Sequence, residues 1–126
     1  MGKMSREKGK RGELRIASMF REAGFSDVHR TAQFRGNTGA AGDLEGANGL
    51  HIEVKFQEQA RIYDWMEQAK RDSTANGKGN MPVVIHKQNN KEVLCIMRFE
   101  DFIEMYREWS NGKWSETGIS DCTENL

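Results

Sequence analysis

Asp43, Glu53 and Lys55 are the residues whose types and spacing could do chemistry in this chain. Asp43 lies in the turn-like stretch Gly42-Asp43-Leu44-Glu45, and Asn48-Gly49 then signals a hairpin reversal. Beyond the reversal, Leu50, Ile52, Val54 and Phe56 alternate with His51, Glu53 and Lys55. A strand sends successive side chains to opposite faces, so one face enters a core while the other presents Glu53 and Lys55 together. Two carboxylates and an amine converging there could hold a divalent cation and activate a water molecule. That is the chemistry of phosphodiester hydrolysis. An isolated Glu-x-Lys is by default a solvated ion pair on a half-exposed strand. Context favours a site: Asp43 lies upstream across a short turn, a Glu sits in a basic-flanked helix near the start, and a helix follows the strand.

The elements that must position these groups follow from periodicity. Residues 1–9 read as a flexible basic arm. From Lys10 to Ala23 the spacing of Ile16, Met19, Phe20 and Ala23 predicts a helix with a buried stripe, stopped by Gly24. Glu13 falls on or beside that stripe, one turn before Ala17. A carboxylate there either pairs with a cation or faces a polar pocket at the sheet edge, because burying it alone is expensive; the other reading is a surface Glu in a first turn. Phe25 to Ala32 reads as a strand entry, and the glycine-rich Gln33 to Gly42 as a loop. Arg35 and Thr38 in that loop could contact phosphate, or the loop could be a plain connection.

Ala60 to Ser73 predicts a second helix with Ile62, Trp65, Met66 and Ala69 on its core stripe, followed by a loop carrying Lys78. Met81 to His86 and Glu92 to Met97 read as two strands joined by a hairpin at Gln88-Asn89-Asn90-Lys91. A third helix from Glu100 or Asp101 would pack Phe102, Ile103, Tyr106 and Trp109 inward. Residues 110–126 form a polar tail, with Trp114 and Ile119 as docking points. The order helix, three-strand meander, helix, two strands, helix fits an α/β domain with a mixed sheet of about five strands flanked by helices.

A chain of 126 residues makes one domain with one core. Equal numbers of basic and acidic residues, 19 each, hide an uneven distribution. Lys3, Arg6, Lys8, Lys10, Arg11, Arg15, Arg21, Arg30 and Arg35 crowd the first third, and the last quarter is acidic. A neutral chain can thus offer a cationic face to a phosphate backbone. No apolar run approaches the roughly 20 residues of a membrane span, and the basic start lacks the apolar segment of a secretory signal. Cys95 and Cys122 lack metal-site spacing and suggest reduced thiols in a cytoplasm. His29, His51 and His86 show no partner pattern and read as structural or surface residues, His51 being on the same strand face as Glu53.

With these residues in order, the chain resembles the PD-(D/E)XK nuclease superfamily: Glu13 in the first helix, Asp43 after a turn, Glu53-Val54-Lys55 on the next strand, then a helix. Within it, Lys10-Arg11-Gly12-Glu13, the small size and Phe99-Glu100-Asp101-Phe102 are similar to the small Holliday junction resolvases of archaeal and phage type. The proline that often precedes the Asp is Gly42 here. The resemblance implies a restriction-endonuclease-like core and a metal-dependent endodeoxyribonuclease acting on four-way DNA junctions as a homodimer, in a bacterial, archaeal or host cytoplasm. It implies that Asp43, Glu53 and the Val54 carbonyl ligate Mg²⁺, or Mn²⁺ in its place, with Glu13 as a further ligand directly or through water. Lys55 would orient the attacking water or stabilise the transition state. No His or Cys cluster offers zinc an alternative. Lys8, Lys10, Arg11, Arg30, Arg35, Thr38, Gln57 and Lys78 would meet DNA; Gln68 is either aimed at the site or an ordinary helix residue. Another nuclease of the same core (nicking, repair or restriction-like) and a non-catalytic nucleic-acid-binding module are the alternative readings.

Overall fold

The alternation from Leu50 to Phe56 does form a strand, and the rest of the domain is built on its two faces. The computed structural model describes residues 2–32, 41–77 and 79–117. Helix α1 (Gly2–Glu22) and strands β1 (His29–Arg30) and β2 (Leu44–Glu45) precede this strand, β3 (Leu50–Phe56). Helix α2 (Ile62–Ala75), strands β4 (Met81–Lys87) and β5 (Leu94–Met97) and helix α3 (Phe99–Thr117) follow it. The five strands form one mixed sheet in the order β1-β2-β3-β4-β5. Only β3 and β4 run parallel, in register from Leu50↔Met81 to Phe56↔Lys87. Parallel neighbours need a long crossover, which α2 supplies.

Strand β4 shows how the layers are arranged. Val83 and Ile85 join Ile52, Val54, Leu44 and Val28 in a cluster with Ile16 and Ala17 of α1. Val84, between them, packs instead with Trp65, Met66 and Ala69 of α2. Alternate residues of one strand therefore meet different helices, so α1 and α2 cover opposite faces of the sheet. This changes the expectation for β3: His51, Ile52, Glu53 and Val54 are all buried, so the polar face of the strand is roofed by α2 rather than bathed in water.

Several boundaries differ from the sequence reading. Residues 2–9, expected as an arm, are helical and continuous with the rest of α1. Met19 and Ala23 are exposed, because the last turn of α1 meets the β1 approach through Arg21, whose guanidinium donates to the Val28 carbonyl at 2.8 Å. Ile62 opens α2 and is half exposed. The largest difference is α3, whose Phe102, Ile103, Tyr106 and Trp109 are 37–53% exposed rather than packed inward. Periodicity identifies an apolar face but not what covers it. The helix is instead tied down at its first turn, where Arg98 donates to the buried Asp101 at 2.7 Å. Residues 110–117 extend α3; Ile119 and Cys122 lie outside the described residues, as does the side chain of Trp114. Among the described residues no helix is long and apolar enough to cross a membrane.

One glycine sets the distance between α1 and the sheet. A Cβ at Gly12 would lie 2.8 Å from Cγ of Phe56, so the helix and the end of β3 touch closely beside Glu13. Helix propensity alone favours Ala over Gly by about 1 kcal/mol, whereas overpacking costs about 1–3 kcal/mol. Gly12→Ala should therefore destabilise the protein, while Gly9→Ala, with nothing within 4 Å of its Cβ, should stabilise it. Urea denaturation of both variants checks this, and a stabilised Gly12→Ala would show that Phe56 yields freely.

Candidate active site

Asp43 stands where β2 separates from β3. The two strands pair at Leu44↔Ile52, and one residue upstream the Asp43 N–H donates to the Ile52 carbonyl at 2.7 Å. Beyond that point the Asp43 side chain takes over as strand partner: its Oδ2 accepts the Val54 N–H at 2.7 Å. Thr31 holds the other side, its N–H donating to the Asp43 carbonyl at 3.0 Å and its hydroxyl to the Gly42 carbonyl at 2.7 Å. A Cβ at Gly42 would approach the Ile52 carbonyl oxygen to 2.9 Å, which accounts for a glycine at this position. Strand geometry sends the N–H and C=O of one residue to the same side, so the Val54 carbonyl also faces the opening between β2 and β3.

Glu53 and Lys55 follow on the α2-covered face of β3. Glu53 is 5% exposed, and its Oε2 lies 2.8 Å from Nε2 of His51, itself 3% exposed. His51, which the sequence reading left as structural or surface, thus joins the candidate site. Its i−2 position relative to Glu53 was the available signal, but the partnership depends on α2 closing over both. Asp72 of α2 completes a group in which one ligand atom each from His51, Glu53 and Asp72 lie within 4.8 Å of one another. Lys55 is half buried near the end of β3 on the same face.

Glu13 arrives from α1. Arg30 Nε donates to its Oε1 at 2.6 Å, with the two side chains 13% and 24% exposed. The carboxylate therefore pairs with a cation, and Arg30 is engaged by protein rather than turned out to solvent. Asp43 feels the whole constellation. Its carboxyl is pushed up to about 7, first by burial and then by the Glu53 and Glu13 charges, against the Val54 N–H and Lys55. Glu13, Glu53 and Lys55 thus act electrostatically on one carboxyl group.

The other candidates are more scattered. Lys10 and Arg11 are exposed on α1, and Lys8 donates weakly to Asn89 at 3.4 Å. Gln57 is exposed just past β3, and its carbonyl lies 2.9 Å from Nε2 of His86, which also packs on Trp65. Gln68 is half buried on α2, and His29 is exposed beside Glu45. Arg35, Thr38 and Lys78 lie outside the described residues. A polar cavity of about 560 Å³ flanks the site, lined among others by His29, Gly42, Glu45, Asn48, His51 and Asn76.

The donor set suits a hard divalent cation. Asp43 and Glu53 each have one oxygen held by the protein, the Val54 carbonyl faces the same opening, and Asp43 carries an electrostatic penalty that positive charge would relieve. The imidazole of the His51–Glu53–Asp72 group would suit a softer ion. Its Nε2 is already satisfied by Glu53, however, so His51 is better read as the group that orients Glu53.

Comparison with known proteins agrees with this geometry. Residues 4–125 match the model of the family described as "Phage putative PDDEXK endonuclease". Among solved structures, Archaeoglobus fulgidus Hjc, a Holliday junction resolvase from an archaeal hyperthermophile, superposes with a TM-score of 0.52 at 23% identity. The match covers 71% of this chain and 76% of that one, a likeness of fold. No curated protein matches the sequence.

Two outcomes follow from the charges. A carboxyl raised from 3.8 to about 7 in the folded state adds stability below its ordinary value that is lost as pH rises through about 7. Asp43→Asn should therefore stabilise the metal-free protein at pH 8 by about 1–3 kcal/mol and have little effect at pH 4. Thermal melts in chelator test this, and equal melting of variant and wild type at both pH values would remove the electrostatic penalty. His51→Ala should weaken Mn²⁺ binding by about 10–100-fold, read by calorimetric titration. Unchanged affinity would show that Glu53 is held without it.

Proposed function

The chain belongs to the phage PDDEXK endonuclease family, and from that premise we propose that it is a Mg²⁺-dependent endonuclease that cuts four-way DNA junctions in paired fashion. The observation that carries the reading is the fork between β2 and β3, where Asp43 takes the Val54 N–H at 2.7 Å in the electrostatic reach of Glu53, Glu13 and Lys55. Asp43, Glu53 and the Val54 carbonyl hold the cation in this reading, with Glu13 reaching it directly or through water. Bound there, Mg²⁺ or Mn²⁺ supplies a water of lowered pKa and positive charge against the scissile phosphate.

The chain's own residues do the rest. His51 fixes the Glu53 carboxylate, and Arg30 fixes Glu13. Lys55, two residues beyond Glu53, orients the attacking water or meets the charge that develops on phosphorus-bound oxygen. The water oxygen bonds to phosphorus, one ester P–O bond breaks, and a phosphate monoester and a hydroxyl are left. Lys8, Lys10 and Arg11 on α1 contact the phosphate backbone, with Gln57 at the site's rim and Arg35, Thr38 and Lys78 as further contacts. Arg30 enters this set only by leaving Glu13.

A four-way junction has approximate two-fold symmetry, so paired cuts call for two copies of the site and a homodimer. The fold shared with an archaeal junction resolvase supports this choice of substrate. The cytoplasm of a bacterial, archaeal or phage-infected host cell is the compartment that fits. Nicking, repair or restriction-like cleavage uses the same chemistry on another DNA shape.

Incubation with four-way, flap, nicked and linear DNA separates these. The expected result is Mg²⁺-dependent paired cutting of the four-way junction, binding without appreciable cutting in Ca²⁺, and none in chelator. Glu53→Gln and Lys55→Ala should each lose at least about a hundredfold in rate with DNA binding nearly intact. Near-normal cutting by Glu53→Gln would sink the site assignment, and equal cutting of linear duplex would move the substrate to the restriction-like class.

A further inference from the structure

Helix α3 carries an apolar face that contributes little to the core. Phe99, Phe102, Tyr106 and Trp109 recur at intervals of three, four and three residues, the spacing of a helix–helix seam. Their rings stack along the helix, with centroids 6.3, 6.1 and 5.6 Å apart. Phe99 is 74% exposed and Phe102 and Tyr106 47% each, and Ile103 and Met105 flank the seam. The charged residues Glu100, Asp101, Glu104, Arg107 and Glu108 all fall off it. At its start the seam runs into strand β5 through a shallow apolar depression lined by Cys95, Ile96, Met97, Phe99 and Phe102. Strand β5 is the last in the sheet and Leu94 is 50% exposed. Among the described residues its outer edge therefore presents backbone donors and acceptors that no strand of the sheet pairs.

What would cover this surface is narrowed by charge and area. Four acidic residues against Arg107 on the charged side of the helix disfavour DNA and anionic lipid. A protein surface remains. Excluding Trp109, the exposed parts of Leu94, Phe99, Phe102, Ile103, Met105 and Tyr106 amount to on the order of 600 Å², what one partner gives to the smaller stable interfaces. A seam of regular spacing with apolar flanks is also self-complementary: two copies can interlock about a two-fold axis with no like charges in the contact.

We propose that the α3 seam and the β5 edge together form the surface on which a second copy of this chain docks. The choice of a second copy over another protein rests on the paired-site reading above; the surface itself does not. Docked copies bury the Phe102 and Tyr106 rings against each other's helices and cover the outer edge of β5.

The test is sedimentation of the full chain from 1 to 100 µM, without DNA or metal. Wild type should sediment at twice the chain mass at 100 µM and fall toward the single-chain mass at 1 µM. Phe102→Glu and Tyr106→Glu should each weaken association at least about 100-fold, while Lys91→Glu, on the exposed turn before β5, should not. Hydrogen exchange on wild type guards against a variant that fails to fold: Leu94–Met97 amides should lose protection on dilution from 100 to 1 µM. A wild type at single-chain mass at 100 µM, a dimer that survives Phe102→Glu, or concentration-independent protection of Leu94–Met97 would each overturn the proposal. The last would mean that something other than a second copy covers this face. A single-chain species that still cuts DNA overturns the surface and spares the nuclease reading; a dimer that cuts nothing does the reverse.

Discussion

A hydrogen bond from the Val54 N–H to the Asp43 carboxylate sets where the sheet opens. Up to Ile52, β3 has a backbone partner on that side; at Val54 a side chain takes the role. The exchange keeps the backbone donor satisfied, which a buried N–H requires. It also draws a carboxylate under the cover of the domain and points a main-chain carbonyl toward it. Thr31 and Gly42 serve this one placement, the first by holding the chain from the β1 side and the second by leaving room for the Ile52 backbone. The fork is thus a product of backbone pairing, and its acidic lining is a consequence.

Charge is where the cost appears. Burial and two neighbouring carboxylates raise Asp43 to about 7, although a backbone N–H and Lys55 both favour its ionised form. Each acidic group has one dedicated partner: Val54 N–H for Asp43, His51 for Glu53, Arg30 for Glu13. Arg30 balances the charge of Glu13, while the Val54 N–H orients Asp43 without cancelling its charge. A fold selected only for stability would have replaced one of the three, because an unneutralised buried carboxylate is costly. Keeping all three is what the proposed cation site would require, since a bound cation would offset that cost. The single-domain framework that allows this is shared with an archaeal resolvase at 23% identity, so what persists is the strand geometry rather than the surrounding residues.

Much of this was legible in the sequence, for a physical reason. The alternation of β3, the Asn48-Gly49 reversal and the order of helices and strands are local patterns, and local patterns determine elements. Gly49 indeed takes a positive φ of 88° at that turn. What was not legible depends on groups distant in sequence. The Glu13–Arg30 pair spans 17 residues and exists because Gly12 lets α1 sit against Phe56. His51 and Glu53 are neighbours on any strand, but they become a buried pair only when α2 covers that face. For α3 the pattern gave the apolar face correctly and its cover wrongly, since an amphipathic helix has the same sequence signature whether its partner is its own sheet or another chain.

The two edges of the sheet are specialised differently, and this resolves how a neutral chain can serve an anionic substrate. The β1 edge lies beside the fork and the Glu13–Arg30 pair, close to the basic helix α1. The β5 edge lies across β3 and β4 from the fork and leads into the acidic, aromatic α3. Positive charge is concentrated on α1, on the side where the proposed reading brings phosphate, and the compensating negative charge sits on α3 at the far side of the sheet. Association through β5 and α3 would leave the fork of each copy uncovered, because two strands separate it from that edge. A single small sheet can therefore keep its reactive side open while its other side makes contact with protein.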